Sequence, residues 1–247
     1  MTLGFGLATL DSKIMSELLE KLRGVKFLPL FPLPTVLMPY ELMPLHIFEP
    51  RYRQMLKDIQ AAGNNLFGLS YFDQQNPDFT APRPGSIGCV AEVRNVETLA
   101  DGRSNILTIG LMRYRLEGYA ETGEPYFVGE ISFFEDEAEN ESDLAALADE
   151  VFALFMRIAN AAHELSGERG RFPDISQAPP EQLSFLVAAA FNLDARVKYE
   201  FLEIRSTAER LEKLRDMLVG MVPDIEQRAD IHKIAKSNGH SKKKINF

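Results

Sequence analysis

The chain has no tryptophan and a single cysteine, Cys89, in 247 residues. One cysteine cannot close an intramolecular disulfide or build a cysteine-based zinc site. It reads instead as a reduced thiol inside a strand. No apolar run approaches the ~18 residues that a membrane span requires. The opening MTLGFGLATLDSK lacks a basic stretch ahead of its short apolar segment, so it does not read as a secretory leader. The expected location is the cytoplasm. Positive charge is also scarce, with 27 Lys and Arg against 36 Asp and Glu, a formal net charge of -9. An acidic body is poorly suited to replacing the counterions of a phosphate backbone, so nucleic acid is an unlikely ligand class.

Catalytic motifs are missing too. There is no G-x-x-x-x-G-K-[ST] phosphate loop, no G-x-G-x-x-G after a strand and no G-x-S-x-G elbow. The single S-x-x-K match, Ser241 to Lys244, falls in a polar terminal segment that cannot desolvate the lysine. The four histidines, His46, His163, His232 and His240, lie far apart. His46 and Glu49 imitate an H-x-x-E ligand pair, but the prolines around them exclude the helix that such a pair needs, and a second pair is lacking. They are expected to satisfy backbone groups or each other around a turn. No cofactor or metal is expected, and no enzyme activity.

What the chain does have is a dense run of proline and large apolar residues, KFLPLFPLPTVLMPYELMPLHIFEPR, from Lys26 to Arg51. Six prolines exclude a helix, while the apolar content demands burial; short strands broken by turns satisfy both. From Pro50 the pattern changes, with Tyr52, Met55, Leu56 and Ile59 at helical spacing up to Gly63. Strand-like runs follow at 66–72, 87–97 and 105–121, then PYFVGEISFFED. Ala100 to Arg103 reads as a hairpin turn and Gly110 as a bulge or bend.

After Asp136 the period switches from two to 3.6. Leu144, Leu147, Val151, Leu154, Phe155, Ile158, Ala162 and Leu165 mark one face of a long helix that Asn140 or Ser142 can cap. The acidic run from Glu135 to Glu141 reads as a solvated linker. Pro179 and Pro180 introduce a nearly all-apolar helix. Asp194 caps the next, and Ser206 with Glu209 caps the last. The expected division is an N-terminal extension with a short amphipathic helix (1–25), which packs on the body or binds a partner; a β-rich unit (26–137); a helical unit (138–222); and a polar, disordered tail (223–247).

The segment LPLFPLPTVLMPYELMPLHIFEPRYRQML resembles the opening of the N-terminal substrate-binding domain of the Lon proteases. Pro44, Leu45, His46, Ile47, Phe48, Glu49, Pro50, Arg51 and Tyr52 match that family's motif without a gap. Asp101-Gly102-Arg103 at the hairpin, Gly110 ahead of Arg113 and Arg115, and Pro125-Tyr126 agree in order. The helical half, Lys198 to Glu203 and Glu209 to Glu212, matches more loosely, with Tyr199 where the family often has glutamine. The resemblance implies an α+β protein, a PUA-like β-barrel followed by a C-terminal helical bundle. It implies a non-catalytic module that binds unfolded or extended polypeptide, or a dedicated protein partner, as an adaptor linked to proteolysis or quality control. The chain is expected to stop where the family's ATPase and Ser–Lys protease domains would begin, so neither activity is expected to carry over. RNA binding is the alternative, resting on the PUA-like barrel and the basic triplet Arg113-Tyr114-Arg115; an unrecognised small-molecule enzyme is the third reading. The residues singled out are Pro44, His46, Ile47, Phe48, Glu49, Arg51, Tyr52, Asp101, Arg103 and Arg113. Most are expected to maintain the fold, with Ile47 and Phe48 in the core and Glu49 paired to Arg51 or capping a loop, and some to contact a ligand.

Overall fold

The computed structural model describes residues 20–73, 81–166, 175 and 178–238. Strand β1 (Phe27–Leu33) is followed by β2 (Leu42–Ile47), helix α1 (Pro50–Ala61), β3 (Leu66–Tyr71), β4 (Ile87–Thr98), β5 (Ser104–Ala120) and β6 (Val128–Phe133). Among the described residues four helices follow: α2 (Glu141–Ser166), α3 (Pro180–Ala190), α4 (Ala195–Glu203) and α5 (Thr207–Asn238). A β-rich half followed by helices is the α+β arrangement expected.

The strands form one mixed sheet in the order β2-β5-β4-β3-β1-β6, and β5 also pairs with β6. The 17-residue β5 does double duty: its first part pairs with β2 and β4, its last part with β6 from Tyr114↔Phe133 to Ala120↔Val128. The sheet therefore curls back on itself and leaves β2 outside the ring with one free edge among the described residues. Among the described strands only β1 and β3 run parallel, joined by a connection that carries β2 and α1.

Inside the curl pack Leu28, Leu30, Val90, Ile109, Tyr114, Leu116 and Ile131. Tyr114 fits because Gly68 and Gly88 leave room for its ring; a Cβ at either would collide with it. Its hydroxyl is satisfied by Ser70 Oγ at 2.7 Å. A second cluster fills the space under α1. There Tyr52, Met55, Leu56 and Ile59, spaced one helical turn apart, meet Phe31, Phe67 and Cys89. Pro50 at the first turn loses no helical hydrogen bond, which is why a proline opens this helix.

The third cluster belongs to the helices, yet Val36, Met38, Tyr40 and Ile87 of the β-rich half join it. The 36–41 segment reaches the helices because Gly110 lets it cross β5 closely. Tyr40 N–H donates to Gly110 C=O at 2.8 Å and Gly110 N–H to Glu41 C=O at 2.9 Å, while a Cβ at Gly110 would fall inside the Met38 carbonyl. The bend read from the sequence at Gly110 is this crossing.

The caps follow the expected chemistry. Asn140 Oδ1 accepts from Ser142 N–H, Asp194 Oδ1 from Arg196 N–H and Ser206 Oγ from Glu209 N–H. One reading is corrected. The segment from Pro223, expected to be a disordered tail, continues α5 as helix to Asn238. Its polarity hid the signal, because only one narrow face packs: Val222 and Ala229 are buried, and Glu226 takes the Arg157 guanidinium at 2.9 Å. Pro223 within the helix forfeits one backbone hydrogen bond and is tolerated. Most of the expected N-terminal helix, and the lysines at 242–244, lie outside the described residues; Glu20 to Leu22 are helical, with Leu22 buried.

Candidate polypeptide-binding face

The motif residues separate into two places. Pro44 to Tyr52 and the Asp101–Arg103 hairpin come together at one end of the sheet, and Arg113 lies apart. Ile47 pairs with Ser104, and Ser104 pairs with Thr98. The turn after β2 and the tip between β4 and β5 therefore share one end. Arg53 of α1 closes the group, its guanidinium lying against Gly102 at the tip.

Alternation along β2 decides what each residue faces. Ile47 turns inward and is 1% exposed, whereas Pro44, His46 and Phe48 turn outward. Phe48 is 58% exposed. This corrects the expectation that it belongs to the core. It lies one residue past the last ladder pair, on the parity of the polar His46, so the pleat carries it outward. Tyr52 is core, its ring centroid 4.2 Å from that of Phe31.

The charged motif residues satisfy themselves locally. Arg51 Nε donates to Glu49 Oε2 at 2.9 Å, the ion pair expected, and the guanidinium sits 4.6 Å from the centre of the Tyr52 ring. At the hairpin, Asp101 accepts from Arg103 Nε at 2.7 Å and from Arg103 N–H at 3.0 Å. These two bonds hold the Asp101 carboxyl down at about 2. His46 was expected to satisfy a backbone group or Glu49; instead it turns to β5, where its Nδ1 lies 2.8 Å from Asn105 Oδ1. Asn105 Nδ2 in turn donates to Glu97 Oε2 at 3.0 Å. A polar row thus crosses β2, β5 and β4 on the exposed face. Asn105 and Glu97 were missed because they are polar positions in ordinary alternation, and only the strand register aligns them with His46.

Arg113 has a different role. It is 2% exposed and donates to the carbonyls of Leu202 and Ile204 and to Asp136. Asp136 also binds Arg210, which is fully buried and donates to Ser184 Oγ and Ile204 C=O. Phe185 lies under both guanidinium groups, at 5.1 and 3.9 Å. Burial pulls the Arg113 guanidinium below its ordinary value, and Asp136 opposes that. This cluster, with the Lys198–Glu41 pair at 2.7 Å, ties the sheet to the helices. Asp136 and Glu139 sit in the acidic run read as a solvated linker. Instead the Asp136 side chain is buried between arginines, and Glu139 accepts from Ser206 Oγ and Ala208 N–H at the start of α5.

Among the described residues no group of His, Cys, Asp or Glu could hold a metal ion, and no helix is long and apolar enough to cross a membrane. Nothing gathered at the sheet end is a nucleophile held beside a base. What it offers is an exposed aromatic ring, a hydrogen-bonded polar row and locally paired charges.

Comparison with known proteins agrees with the motif. The "Lon protease" of Brevibacillus choshinensis is 29% identical over 198 residues, which cover 79% of this chain and 25% of that protein. That of Flavobacterium johnsoniae is 28% identical over 211 residues, again 25% of its length. The chain thus spans about a quarter of these relatives. The fold is shared with the N-terminal domain of Mycobacterium avium complex Lon protease, at a TM-score of 0.61 and 20% identity over 78% of this chain and 98% of that one. A Lon N-terminal domain protein from Xanthomonas campestris gives 0.56 and 21% over 77% and 97%. The family model of the ATP-dependent protease La (LON) substrate-binding domain matches residues 27–220, and the chain belongs to that family.

Proposed function

We propose that this protein is a non-catalytic module that binds unfolded or extended polypeptide and serves as an adaptor in proteolysis or protein quality control. The observation that carries the reading is Phe48. It is a large apolar side chain, 58% exposed, on an unpaired sheet end within the motif that marks the substrate-binding family. An exposed aromatic ring held by a rigid strand end is the anchor that weak recognition of extended chains uses. Affinity should be on the order of micromolar or weaker, because ordering a flexible peptide offsets much of the contact energy.

The RNA reading gains little from its basic triplet. In the triplet Arg113-Tyr114-Arg115, Arg113 is committed to Asp136 and Tyr114 is fully buried inside the curled sheet. The test is a titration with a labelled, reduced unfolded protein and, separately, with a mixed RNA pool, each at low and high salt. Polypeptide binding that varies little with salt is expected. RNA binding that weakens steeply with salt, without polypeptide binding, would overturn the reading.

A further inference from the structure

The polar row on the exposed sheet face has a direction. Asn105 donates through Nδ2 to Glu97, so its Oδ1 is the acceptor turned to His46. A neutral His46 then carries its proton on Nδ1 and presents Nε2 as an acceptor. Among the described residues neither His46 Nε2 nor Glu97 Oε1 has a hydrogen-bond partner. The His46 and Phe48 rings stack beside this row, with centroids 6.0 Å apart and planes at 22°. The groups left open to a ligand are thus an anionic oxygen, a neutral nitrogen lone pair and two π-faces. All four attract positive charge or hydrogen-bond donors. Two of the cations nearby are already engaged, Arg51 with Glu49 and Arg103 with Asp101, while Arg53 lies against Gly102 with no ion pair among the described residues.

We propose that the face formed by Glu97, His46 and Phe48 selects a lysine or arginine side chain next to an apolar residue in an extended polypeptide, with Asn105 as the positioning residue that keeps His46 an acceptor. The proposal rests on the polypeptide-binding reading above and names its specificity. The apolar neighbour covers Phe48, and the cation reaches Glu97 and His46 Nε2 across the strands. An acidic side chain at the same position meets Glu97 and is rejected.

The test uses three short labelled peptides in a Gly/Ser background, carrying Leu-Lys-Leu, Leu-Gln-Leu or Leu-Glu-Leu, titrated into the full chain by fluorescence anisotropy. The lysine peptide should bind about fivefold more tightly than the glutamate peptide, the scale of one partly exposed cation contact. Glu97→Gln should remove most of that preference. Phe48→Ala should weaken all three alike. Asn105→Ala should reduce the preference with no change in thermal unfolding. Equal binding of the three peptides, or a preference that survives Glu97→Gln, would overturn this inference alone. Binding of none of them would overturn it together with the reading on which it rests.

Discussion

Phe48 shows how much one residue's parity matters. An apolar residue in an apolar motif looks like core, and a buried phenylalanine cut to alanine costs ~3–5 kcal/mol. Exposed at 58%, it should cost far less: Phe48→Ala is expected to shift stability by no more than about 0.5 kcal/mol. Its effect should fall on polypeptide affinity, weakened on the order of tenfold if Phe48 is an anchor. Urea unfolding and anisotropy titration of the same variant separate the two, and a large loss of stability would return Phe48 to the core. Asp101 gives a pH test at the same scale. Its folded value is lowered from 3.8 to about 2, chiefly by the side-chain hydrogen bond from Arg103. A depressed acid contributes stability above its unfolded value and loses it as pH falls through the folded one. The tip should therefore keep its geometry at pH 5 and release it between about 4 and 2. Carboxyl NMR titration should find the midpoint of Asp101 near 2 in the wild type and back toward 3.8 in Arg103→Ala. An unmoved midpoint in the variant would assign the shift elsewhere.

At the scale of elements, patterning identified most of the strands and helices, because each carries its period openly. The 12 residues of α1 place Tyr52, Met55, Leu56 and Ile59 on one side, and the alternation of β4 and β5 is long. The last turns of α5 were not legible. There the apolar residues are few, and Ile231 and Ile234 are exposed while Ala229 is buried. A polar surround and an internal proline read as a tail; packing against α2 makes it helix. Ending the chain at Val222 removes the Ala229 contact and the Arg157–Glu226 pair. That truncation should lower unfolding stability by about 1–3 kcal/mol while leaving a cooperative transition. An unfolding curve superimposable on that of the whole chain would show that residues 223–238 add nothing.

For the whole molecule, the decisive group is Asp136 with Arg113 and Arg210. The three come from β5, the connection to the helices and α5, and their side chains are all 5% exposed or less. Removing one member of a buried charged cluster leaves uncompensated charge, at a cost of ~3–5 kcal/mol. Asp136→Ala strands two buried guanidinium groups and should lose at least this much in urea unfolding. Arg113→Met, which fits the space between Phe134 and Phe185, should lose less. Equal, small losses would mean that apolar packing alone joins the sheet to the helices.

The sequence by itself determined the family, the order of strands and helices and three of the helix caps, because periodicity, proline placement and capping chemistry are local. It also anticipated the Glu49–Arg51 pair, whose partners are two residues apart. Tertiary structure alone decided that Phe48 faces solvent, that His46 meets Asn105 59 positions away, and that Asp136 joins Arg113 to Arg210 74 positions on. Those outcomes depend on strand register, on the curl that gives β5 three partners and on a charge cluster assembled from distant segments. Each is a matter of which parts of the chain meet, and local pattern carries no record of that.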